Sequence, residues 1–138
     1  MNILNVNFNE INAKRENKPK GQININNNIK IENIEDSKIG AADKKKGVKI
    51  SFKFSTDYEP GYAHIELKGS LLLLEDAKKA KEMLDNWKNK KNLNQDYGKT
   101  IIQAIMNRSL IETVIISREI DLPTPIRLPT VTDKTESK

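Results

Sequence analysis

Four stretches of this chain alternate apolar and polar residues, two later stretches repeat their apolar residues at helical spacing, and a proline-punctuated run follows. That order, strands first and helices after, most constrains what the chain can fold into. Leu4, Val6 and Phe8 alternate with asparagines and predict a first strand. Ile23, Ile25, Ile29 and Ile31 predict a second, with Asn27 interrupting its apolar row. Val48, Ile50, Phe52 and Phe54 face away from Lys49, Ser51, Lys53 and Ser55 in a third. In the fourth, Ala63, Ile65, Leu67, Gly69, Leu71 and Leu73 oppose His64, Glu66, Lys68 and Ser70. Leu72 and Leu74 make the end of that strand apolar on both sides, so both sides need cover.

The punctuation joins these elements. Residues 13–22 hold Pro19 and Gly21 among polar residues and predict a loop, as do residues 35–47 with Gly40, Gly47 and three lysines. Glu59-Pro60-Gly61-Tyr62 predicts a type II turn, with Pro presetting φ at one central position and Gly accepting a positive φ at the next. The third and fourth strands therefore form a hairpin. From Glu75, Ala77, Ala80, Met83, Leu84 and Trp87 share one helical face, and Glu75 with Asp76 suits the positive end of that helix. A second helix starts near Tyr97, with Lys99, Thr100, Gln103 and Asn107 on a polar face. Leu110 and Val114 then enter that same sector, so its later turns are apolar nearly all round and need cover on two sides. Pro123, Pro125 and Pro129 exclude helix interior and central strand, which predicts an extended return with Leu122, Ile126 and Leu128 as apolar pegs.

Composition narrows the function classes. At 138 residues the chain fits one domain, 1–131, followed by a disordered tail, 132–138. Only 36% of residues are hydrophobic and 5% aromatic, which predicts further burial by self-association. Zero Cys excludes disulfides and thiolate chemistry, and the sequence shows neither a membrane span nor a signal peptide, so a cytoplasmic protein is expected. The net charge of +5 invites a nucleic-acid reading. Its lysine clusters lack interleaved aromatics, however, and Phe52 and Phe54 share the apolar face, so RNA or ribosome contact ranks low. The chain has none of the phosphate-loop, nucleophile-elbow or zinc-protease motifs. His64, the only histidine, falls on the wet face of a strand. No enzyme, metal, cofactor or small-molecule substrate is expected.

In element order, in the long hairpin from Ile50 to Leu74, and in the helix and proline-bearing return from Tyr97 to Pro129, the chain resembles the SecB-like protein-export chaperones, as a divergent, archaeal-type relative. The resemblance implies an α+β fold in which a four-stranded antiparallel sheet carries two helices packed on one face, assembling as a homodimer or tetramer. It also implies an ATP-independent holdase that binds unfolded or nascent polypeptides in apolar grooves. On that basis Leu72, Leu74, Leu110, Val114, Leu122, Ile126 and Leu128 are the expected peptide-binding residues, and Trp87, Ile102 and Met106 the expected oligomer interface. Two departures stand out. Residues 13–22 are basic and hold no aromatic residue where the family has an aromatic crossover loop, and the chain ends Asp133-Lys-Thr-Glu-Ser-Lys138 where export members carry an acidic tail. The alternative reading is a structural or adaptor module for one dedicated protein partner.

Overall fold

The computed structural model describes residues 1–16, 21–37, 45–93 and 95–125. Strands β1 (Asn2–Arg15), β2 (Asn24–Asp36), β3 (Lys45–Glu59) and β4 (Ala63–Asp76) precede helices α1 (Ala77–Lys90) and α2 (Gln95–Glu119). The strands form one antiparallel sheet in the order β1-β4-β3-β2, so the hairpin is central and β1 and β2 are edges. Both helices lie on one face. Val48, Ile50, Phe52, Leu71 and Leu73 pack under α1 and the start of α2, while Phe54, Tyr58, Ile65 and Leu67 pack under the later turns of α2 and the return. The expected α+β architecture and the expected inward rows of β3 and β4 are both present.

The edge strands depart from simple alternation. Bulges fall between Ile3 and Asn5, between Phe8 and Glu10, and between Ile31 and Asn33. Each inserts one unpaired residue and so shifts the following side chains to the other face. Leu4, expected inside, is the extra residue of the first bulge and is 42% exposed, whereas Ile3 pairs with Leu73 and packs on the core. The third bulge returns Ile34 to the core. Asn27 does not merely interrupt its row. It pairs with Thr56, and the buried Thr56 hydroxyl donates to its side-chain oxygen at 2.6 Å.

Several boundaries also move. β1 runs to Arg15 and β2 to Asp36, two residues into each expected loop or further, and β3 begins at Lys45. Long pairing with the hairpin overrides the local polarity there. Glu75 and Asp76 are the last residues of β4, and Asp76 is also the N-cap of α1, without a side-chain capping hydrogen bond. Glu75 is buried, with the Met1 ammonium 3.5 Å away and the Asp76 N–H donating to its carboxylate at 2.9 Å, so its partners are local rather than the helix dipole. The hairpin turn is not type II. Its Tyr62 N–H donates to the Tyr58 carbonyl at 2.9 Å around a cis Glu59–Pro60 bond, with Gly61 at φ +57°.

α2 lies on the sheet through Ile101, Ile105, Ser109, Thr113 and Ser117, all buried. Its later turns are therefore not sheet-facing through their largest residues. Small side chains face inward, and two of their hydroxyls are satisfied within the helix, Thr113 donating to the Ser109 carbonyl and Ser117 to the Val114 carbonyl. Ile111 and Ile115 are left outward, 60% and 50% exposed. Beyond α2, Asp121 takes a left-handed φ of 55° and the Leu122 N–H donates to the Ser117 carbonyl at 2.8 Å. Leu122 is then buried in the second core, and the Tyr58 hydroxyl donates to the Pro123 carbonyl at 2.6 Å, fixing the return to the sheet.

Two measurements check this arrangement. A Cβ on Gly69 would stand 2.0 Å from the Asn7 carbonyl oxygen. Gly69→Ala should therefore push β1 off β4 and destabilise the protein by about 2–4 kcal/mol in urea unfolding. Burial, helped by the neighbouring Tyr62, pushes the Tyr58 phenol from 10.0 up to about 12. The unfolded chain loses this proton first, so stability held below pH 10.0 drains away as pH rises toward about 12. Tyr58→Phe should be less stable at neutral pH, yet lose less stability across that window when unfolding is followed by circular dichroism.

Candidate functional site

The clearest concave apolar surface lies beside the β2 edge. Alternation turns Ile29 and Ile31 toward the helices, and because β2 has no strand beyond it, both are only half-buried. Trp87 closes one wall from the last turn of α1, and Leu93 comes from the short connection. Gly98, Ile102 and Met106 recur every fourth residue along α2 and form the opposite wall. Gly98 permits this close approach, since a Cβ there would lie 3.3 Å from the Leu93 Cβ. Together these residues bound an open groove of about 730 Å³.

Its mouth is polar and positive. Lys91, Asn92, Lys99 and Gln103 stand around it, and Lys30 borders it from the β2 edge, its side chain alternating to the other sheet face. Lys91 ends α1 in a left-handed conformation, φ 54°, its N–H donating to the Trp87 carbonyl at 3.0 Å. Its ammonium lies 5.6 Å from the centre of the Trp87 ring, in cation–π range. Trp87 is 8% exposed, so most of the indole is core and a strip of it is groove wall. The groove is lined by apolar side chains, lysines and amides, with no Asp, Glu, His, Cys, Ser or Thr among the described residues. It can bury an apolar chain.

The expected site residues are scattered. Trp87, Ile102 and Met106, expected at a subunit interface, meet in the groove. Leu110 and Val114 are half-buried farther along α2, and Leu110 packs on the second core. Leu72 and Leu74 are half-buried on the face of β4 opposite the helices, away from the groove. Leu122 is core, and Ile126 and Leu128 lie outside the described residues, as does the tail 132–138. Ile29, Ile31, Leu93, Lys91 and Lys99 were not singled out from the sequence. The available signal was the Gly98, Ile102, Met106 ridge, which starts in the first turn of α2, across the short connection from the α1 turn that carries Trp87.

The other surfaces are ordinary. The outer sheet face carries exposed or half-exposed ion pairs, among them His64 with Asp57 and Lys53 with Glu66, which contribute little. Among the described residues no group of His, Cys, Asp and Glu could hold a metal ion, and no helix is long and apolar enough to cross a membrane.

No protein-family model matches the chain, and no curated protein matches it in sequence. Among solved structures it is similar to the Mycobacterium tuberculosis Rv1957 SecB-like chaperone, solved in complex with a ChAD peptide from the Rv1956 HigA1 antitoxin. The TM-score is 0.53 at 12% identity, covering 94% of this chain and 89% of that one. The one-sided four-stranded sheet with two helices is thus the SecB-like α+β fold.

Proposed function

We propose that this protein is a non-enzymatic, ATP-independent chaperone or adaptor of SecB-like type that holds extended polypeptide segments in the groove between β2, α1 and α2. The observation that carries this reading is the groove itself, an open, apolar concavity with a polar mouth and no acidic residue among its described lining residues. Burying a client's apolar side chains there is worth about 25 cal/mol per Å², so affinity accumulates from several modest contacts. Ile102 and Met106 supply the floor for a client, and Leu110 and Val114 extend it along α2. The similar fold of a chaperone solved with a bound peptide supports the assignment.

Self-association completes the proposal. Ile111 and Ile115 face outward on the opposite flank of α2 from the groove wall and are the apolar surface that a second copy would cover in a dimer or tetramer. A dedicated role toward one partner is the second reading, favoured by the antitoxin peptide held by the similar structure. Client breadth separates it from a general holdase, whether cytoplasmic export is served or not.

Two variants divide the surfaces. Ile102→Glu should leave the circular dichroism spectrum unchanged, weaken binding of a denatured reporter at least about tenfold and abolish suppression of its aggregation without ATP. Ile111→Lys with Ile115→Lys should lower the mass seen by light scattering while Trp87 still responds to bound peptide. Full activity of Ile102→Glu would remove the groove from the function.

A further inference from the structure

Resting on the groove reading, we infer that the preferred occupant is a polypeptide segment whose apolar stretch is flanked by carboxylates. Elsewhere on the molecule several cations are matched, Lys14 with Glu16, Lys45 with Asp76, Lys46 with Asp36, Lys53 and Lys68 with Glu66, and Arg108 with Glu112, while others, such as Lys78 and Lys79 at the start of α1, stand on polar surface. The groove differs in setting its lysines beside an apolar lining. Lys91 and Lys99 make no ion pair among the described residues, and no described lining residue is acidic. The backbone of Lys91 is held at the mouth by its bond to the Trp87 carbonyl, and its ammonium lies in cation–π range of the indole. Lys99 stands on the exposed ridge beside Ile102. Lys30, between the inward Ile29 and Ile31, alternates to the other sheet face and brings β2 edge backbone to the groove, where an extended segment can lie alongside. A segment with apolar side chains inside and carboxylates at the mouth satisfies both parts of the site.

Trp87 is the only tryptophan of the chain, so its emission reports occupancy directly. The experiment titrates the full chain with two synthetic peptides that share one apolar centre lacking Trp and Tyr, flanked in one by glutamates and in the other by lysines. The Glu-flanked peptide should bind about tenfold tighter at low salt, and the advantage should shrink as salt approaches about 0.5 M. Lys91→Gly with Lys99→Gln should erase the difference, Gly suiting the left-handed position, while Lys78→Gln with Lys79→Gln on the far end of α1 should not. Equal affinities, a preference for the Lys-flanked peptide, or equal loss in both double variants would overturn the inference and leave the groove reading standing. Binding of neither peptide, or Trp87 emission that depends on protein concentration alone because a second copy fills the groove, would overturn both.

Discussion

Everything in this fold leans on the β3 and β4 hairpin, whose inward row is buried from Val48 to Tyr58 on one strand and from Ala63 to Leu73 on the other. That row is continuous because both strands alternate without a bulge along fourteen paired positions, and because Gly69 leaves room for the β1 backbone. The helices also pack on the edges, α1 on β2 and α2 on β1, but the edge strands and the return from α2 are each fixed to the hairpin. β1 reaches it across Gly69, β2 through Thr56 and Asn27, and the return through the Tyr58 hydroxyl on the Pro123 carbonyl.

A sheet covered on one side with short cover at an edge leaves apolar surface unspent. α1 ends at Lys90, and α2 passes over the centre of the sheet, so the middle of β2 is only half roofed. Ile29 and Ile31 consequently serve two ends at once, packing on the first core beneath and lining the groove above. Trp87 does the same from α1. Residues shared in this way resist simple mutational reading, since a large change in them weakens fold and site together. Ile102 and Lys99, which stand on α2 outside the core, separate the two effects.

The hairpin and both helices were legible in the sequence because period-2 and period-3.6 patterns survive wherever an element is buried on one face, whereas the placing of both helices on one face of a four-stranded sheet was implied by the resemblance. Bulges were not legible. At Leu4 and at Glu32 one inserted residue reverses the face of everything beyond it, and no local pattern marks the insertion. On α2 the need for cover on two sides was legible, but which residues meet the sheet was not: Ser109, Thr113 and Ser117 face it and Ile111 and Ile115 face out. The groove was legible only in pieces. Its residues come from β2, α1, the connection and α2, and Trp87, Ile102 and Met106 are apolar residues whose meeting place depends on which strand forms the edge.

The most direct measurement of the central claim is hydrogen exchange on the full chain, with and without an excess of a permanently unfolded polypeptide. Slowed exchange at β2 around Ile29 to Ile31 and on α2 from Gly98 to Met106, with the outer sheet face unchanged, is the result expected of a peptide-holding groove. Slowing confined to β4 around Leu72 and Leu74 or to α2 around Ile111 and Ile115, with the groove exchanging as before, would contradict it.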